Sequence, residues 1–226
     1  MTRTLCLVAA FIFPALCLPA WATDFVTSTL PSKADLTSSG SNPYFILQPG
    51  YCLTLRSDTG KLVVTVLNET RKVDGVECRV VEERESDNGK LVEVSRNYFA
   101  ISRKDNTVYY FGEDVDVYDK TGTKVQSHEG TWLAGVRGNK PGIIMPGNPK
   151  VGDKYYQEVA PKVAMDRAEI VSLTETLKVP AGTMTNVLKT LETSSIESGK
   201  EYKYYAKGIG LIKDADMLLV SHGYVK

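Results

Sequence analysis

Histidine is almost absent from this chain of 226 residues, which contains only His128 and His222. There is no Gly-x-Ser-x-Gly elbow, no His-Glu-x-x-His and no Cys-x-x-Cys, so the common sequence signatures of nucleophilic, zinc-dependent and dithiol chemistry are missing. Ser127-His128-Glu129 has the residue types of a proton relay. Neighbours on a strand point to opposite faces, however, and cannot pass a proton among themselves. Net charge is lacking as well: 27 basic residues balance 27 acidic ones, which removes the electrostatic case for nucleic acid or anionic lipid as main partner. Helical periodicity is also scarce, and the best candidate, 159–170, is interrupted by Pro161.

Long apolar runs are confined to the N-terminus. Arg3, an apolar stretch over 5–18 and the small-x-small site Ala20-Trp21-Ala22 are the parts of a secretory signal peptide, 1–22, cleaved after Ala22. The stretch falls short of the roughly 20 residues a membrane span needs, so no transmembrane anchor is expected after cleavage and the protein is expected in the periplasm or secreted. Leu16 before Cys17 is too bulky for lipoprotein processing. Cys6 and Cys17 leave with the signal, and Cys52 and Cys78 remain. Two thiols in an oxidising compartment make a Cys52–Cys78 disulfide the first expectation, provided their strands pass within about 6 Å Cα to Cα. Two separate buried thiols are the alternative. Residues 23–41 are polar and aperiodic, a flexible lead-in to a single domain over 42–226.

What the mature chain has in quantity is strand signal. Segments 51–57, 61–69, 77–84, 90–102 and 107–111 are punctuated by Asp58-Thr59-Gly60, Asp74-Gly75, Asp87-Asn88-Gly89 and Lys104-Asp105-Asn106, the pattern of an antiparallel meander. Segments 167–177 and 184–192 flank the turn Val179-Pro180-Ala181-Gly182-Thr183, and 201–206, 210–213 and 218–224 complete the chain. Together these predict an all-β protein of about ten antiparallel strands. In 112–122, alternation puts Asp114 and Asp116 on one face and Glu113 on the other with Val115 and Val117. The spacing of a calcium loop is absent, so a solvated hairpin is expected. His128, Met145, Met165 and His222 are too scattered for a copper site. No metal and no cofactor is implied.

Seven glycines or prolines between Gly138 and Gly152 exclude a helix or simple hairpin there. The stretch 130–168 reads as a long crossing loop, a lid or strap on the sheet with Trp132, Ile143, Ile144 and Met145 facing inward. Arg137 and Asp166-Arg167 are expected to form ion pairs that pin this loop, or to meet an anionic ligand. Aromatic doublets such as Tyr98-Phe99, Tyr109-Tyr110 and Tyr204-Tyr205 send one ring to each face of a sheet, one set to fill the core and one to line a concave surface. The candidate ligand contacts are therefore Tyr98, Tyr110, Trp132, Ile143, Ile144, Met145 and Tyr204.

Asn42-Pro43-Tyr44-Phe45, Tyr110-Phe111-Gly112-Glu113, Lys140-Pro141-Gly142-Ile143-Ile144-Met145-Pro146, Val179-Pro180-Ala181-Gly182-Thr183 and Tyr204-Tyr205-Ala206-Lys207-Gly208-Ile209-Gly210 resemble a family of exported bacterial domains of unknown function. The C-terminal half is also similar to secreted β-proteins of the periplasmic lipoprotein-carrier type. That resemblance implies a curved sheet or half-barrel and an envelope location, and supplies no reaction. Such domains tend to carry Trp shortly after the Pro-Gly, where this chain has Cys52, a change that could free space for a bond to Cys78. The expectation is a non-enzymatic binding protein holding a lipid-like ligand in the concavity. Its alternative is a structural or interaction protein of the envelope with a filled core and a protein partner.

Overall fold

The computed structural model describes residues 24–225. The expected signal peptide, with Cys6 and Cys17, lies outside them. Among the described residues the chain is all-β, and apart from one 3-10 turn, η1 (Lys33–Asp35), every regular element is a strand. Three short strands, β1 (Leu36–Thr37), β2 (Gly40–Asn42) and β3 (Phe45–Leu47), come first. A meander follows, made of β4 (Tyr51–Arg56), β5 (Gly60–Val73), β6 (Val76–Asp87), β7 (Lys90–Ser102) and β8 (Val108–Tyr118). Two of its hairpins turn on Asp74-Gly75 and Asn88-Gly89, with all four residues at positive φ, the conformation that matches the twist of paired strands. The Gly/Pro-rich region holds β9 (Val125–Ser127), β10 (Trp132–Leu133), β11 (Lys140–Met145), β12 (Lys154–Tyr156) and β13 (Glu158–Val159). A second meander, β14 (Asp166–Val179), β15 (Gly182–Ser194), β16 (Glu201–Ala206), β17 (Gly210–Asp214) and β18 (Met217–Tyr224), ends the chain.

Both meanders join into one antiparallel sheet through the pairing of β18 with β4. Its order runs β12-β14-β15-β16-β17-β18-β4-β5-β6-β7-β8-β11-β13. The two edges, β12 and β13, are separated in sequence by Gln157 alone. The sheet therefore curls until its edges meet, nearly closing a barrel with its seam at Gln157, and closure leaves little unpaired edge. Gly142 on β11 makes this approach possible: a Cβ there would lie 2.4 Å from the carbonyl oxygens of both Tyr156 and Gln157.

Stretch 130–168 is thus no strap laid over a sheet, because its strands are part of the wall. Trp132 (3% exposed) and Met145 (0%) are buried, and Ile143 and Ile144 are partly buried against the core. Residues 159–170 form no helix: β14 starts at Asp166. Arg137 makes no ion pair among the described residues; it sits at φ 53 in an exposed turn held by Gly135 and Asn139 backbone bonds. Arg167 instead lies 4.6 Å over the Phe25 ring.

The expected disulfide is absent, and both cysteines are free thiols. Cys52 lies opposite Thr65 and Cys78 opposite Arg71, on the two sides of β5. Six residues of strand, roughly 20 Å at about 3.3 Å each, and a whole intervening strand separate them, far beyond disulfide reach. The stretch 23–41, expected to be a flexible lead-in, carries η1, β1 and the start of β2, with Leu36 and Ser38 buried, and Asn42 just beyond it is buried too. Asn42 pins it by donating to the carbonyls of Asn106 (3.0 Å) and Pro146 (2.8 Å) while accepting from the Tyr44 N–H (2.8 Å). Residues 42–47 thereby close one end of the barrel, with Tyr44 and Leu47 buried in its core.

Candidate functional site

The interior is only partly filled. A cavity of about 390 Å³ runs between the two meanders and the seam, within the size range of small-molecule sites. Its character changes along the barrel. On β7 the inward positions pass from Phe99 through Asn97 and Ser95 to Glu93, all lining the cavity. On β6 the register sets Val81 beside Asn97 and Glu83 beside Ser95, so the two strands turn from apolar to acidic together. The apolar end is walled by Phe45, Ile46, Leu53, Val64, Ile144 and Leu211. Phe99 stacks on Tyr110 at 4.9 Å and meets Phe45 edge-on at 5.0 Å, and Trp132 backs Tyr110 at 5.2 Å. Tyr110 is oriented by donating to Asn97 Oδ1 at 2.6 Å.

Seven carboxylates and one lysine line the opposite part. Lys203 Nζ stands 3.6 Å from Glu192 and 3.5 Å from Asp214. Burial opposes its charge, yet these two carboxylates outweigh burial and hold the lysine well above its ordinary value. Glu83, Glu93, Glu113, Glu158 and Asp166 have no ion-pair partner among the described residues. Burial pushes Glu83 up to about 7, against the pull of Lys203 and with help from Asp214 and Glu93. Glu113 also rises to about 7, chiefly through burial. Glu158 (2% exposed) reaches about 8 through burial and the adjacent Asp166, although it accepts the Asp166 N–H. Glu83, Glu113 and Glu158 face one cavity and cannot all ionise cheaply, so part of this set keeps its protons at neutral pH.

Of the residues singled out in the sequence, Tyr110 and Ile144 line this cavity. Trp132 and Met145 are buried beside it, and Ile143 packs against the core. Tyr98 faces the other way: its hydroxyl donates to Asp114 (2.7 Å) and accepts from Arg71 (2.6 Å). Tyr204 lies between the ammonium groups of Lys189 and Lys213, at 5.3 and 5.2 Å. Neither histidine lines the cavity. His128 is exposed and pairs with Asp116 at 2.9 Å, while His222 lies near Tyr51.

Of these acids the sequence singles out only Glu113, as part of a solvated hairpin, and Asp166, as an ion-pair partner, although a signal for others exists. Glu93 shares its strand phase with Asn97, Phe99 and Ile101, and Glu83 shares its phase with Val81. Acids in phase with core residues mark an inward-facing polar row. Glu113, on the Val115 side of its strand as alternation predicts, is one of the seven.

No protein-family model matches the chain, and no curated protein matches it. Among solved structures it is similar to a Bacteroides fragilis protein of YmcC-like fold that is held to be exported, at 16% identity and a TM-score of 0.37, over 80% of this chain and 98% of that one. A likeness this distant carries no weight for function.

Proposed function

We propose that this chain is an exported, non-enzymatic binding protein that takes an apolar or amphiphilic ligand into the interior of its curled sheet. The carrying observation is the cavity of about 390 Å³, with aromatic and aliphatic side chains at one end and ionisable ones at the other. Such a lining suits a molecule with an apolar part and a polar part. A filled core would have favoured the envelope structural protein instead. Export rests on the N-terminal signal sequence alone.

Native mass spectrometry of the purified protein, before and after solvent extraction, tests this reading, alongside Trp132 fluorescence during titration with amphiphiles. Co-purifying ligand, or saturable fluorescence change abolished by Ile144→Trp in the apolar end, is the expected result. A clean apo mass with no fluorescence response across neutral, anionic and cationic amphiphiles would refute it.

A further inference from the structure

Resting on that reading of the cavity as a ligand site, we infer that its ligand is an organic cation with an apolar tail. The tail lies among Phe45, Phe99 and Ile144, and the ammonium group among Glu83, Glu93 and Glu113.

The first support is charge. Lys203 is matched by Glu192 and Asp214, leaving five lining carboxylates without a cation. An anionic headgroup placed there would meet, at low dielectric, those carboxylates that are ionised, a repulsion much larger than in water, whereas an ammonium ion pairs with them and draws off the protons the others hold. The second is an unpartnered polar side chain. Gln157, only 5% exposed, lines the cavity at the seam; its backbone N–H is taken by the Asp166 carbonyl, but its side-chain amide makes no hydrogen bond among the described residues. That side chain is not among the fully buried unsatisfied groups, so it is left open to the cavity, where its carbonyl oxygen can accept from an ammonium headgroup.

Geometry distinguishes an organic cation from a metal ion. No three acidic, histidine or cysteine side chains converge as metal ligands among the described residues, so the negative charge is spread along the wall instead of focused on a point. The route of entry agrees with the polarity. A second cavity, of about 550 Å³ beside the 195–200 turn, shares Asp166, Glu192 and Lys203 with the first. The opposite, apolar end is closed by residues 42–47. A tail can therefore enter first and leave its ammonium group near the acidic mouth. Binding a cation favours the ionised carboxylates, so protons leave as it binds.

Isothermal titration of the purified protein with dodecylammonium, dodecanol and dodecanoate at pH 7, the two ions below their micelle concentrations and the alcohol below its solubility, tests the assignment. Dodecylammonium is expected to bind at least about tenfold more tightly than the other two. Its heat should depend on the ionisation enthalpy of the buffer, reporting proton release. The double variant Glu83→Gln, Glu93→Gln should lower the amine-to-alcohol affinity ratio about tenfold. Dodecanol or dodecanoate binding as tightly as the amine would overturn the cation while leaving the amphiphile site standing. No binding by any of the three overturns both. An amine preference unchanged in the double variant would place the amine on the outer surface and overturn the inference. If that variant does not fold, amine binding by the native protein without proton release does so too.

Discussion

Glu158→Gln should stabilise this protein, and increasingly so as the pH rises. Glu158 is buried beside Asp166 at the seam and holds its proton until about pH 8, against an ordinary value of 4.5. Between those values the folded state binds a proton that the unfolded chain has released. The stability this represents is intact below pH 4.5, declines as pH rises, and is lost above pH 8. Over the interval from pH 4.5 to 7, at about 1.4 kcal/mol per pH unit, the loss from this group is about 3 kcal/mol. Glutamine keeps an oxygen to accept the Asp166 N–H, adds a donor facing neighbouring carboxylates, and does not titrate. Urea unfolding of both proteins at pH 5, 6, 7 and 8 should give curves that diverge by about 3 kcal/mol by pH 7. Glu83 and Glu113, both at about 7, leave the variant a weaker pH dependence of the same sign. Parallel curves across this range would refute the reasoning, since Glu158 would then be ionised in the folded state at no penalty.

Gly142→Ala pushes a methyl group to 2.4 Å from two carbonyl oxygens of the seam, and should lower unfolding free energy by about 1–3 kcal/mol in urea titrations. Iodoacetamide should alkylate half-buried Cys52 in the native protein. Cys78, fully buried with burial pushing its thiol up to about 12, should react only after denaturation, as read by intact mass. Arg137→Ala removes an exposed side chain with no ion pair among the described residues, and should leave the unfolding free energy from urea titration within about 0.5 kcal/mol of the parent.

Several strands are legible residue by residue because their signals are local. The sequence places 90–102 as a strand and the structure has Lys90–Ser102; it places 201–206 and the structure has Glu201–Ala206. Asp74-Gly75 and Asn88-Gly89 fix tight turns by positive φ alone. The Gly/Pro-rich stretch was harder, since glycine there does not mark a loop. Gly142 sits within a strand because another backbone passes too close for a side chain, and only the folded seam reveals which backbone that is.

Composition and pattern alone determined an all-β chain of antiparallel hairpins, because turn chemistry and strand alternation act over a few residues. The same reach ends where strands far apart in sequence meet. Whether Cys52 and Cys78 touch depends on the register of β4 and β6 against β5. Whether the aromatics enclose a void depends on how far the sheet curls before β12 and β13 meet at Gln157. The acids show this most plainly: evenly balanced in the composition, they read as solvated surface, until closure of the barrel turns Glu83, Glu93, Glu113 and Glu158 onto one interior. Burial then shifts their protonation, and burial belongs to the tertiary structure.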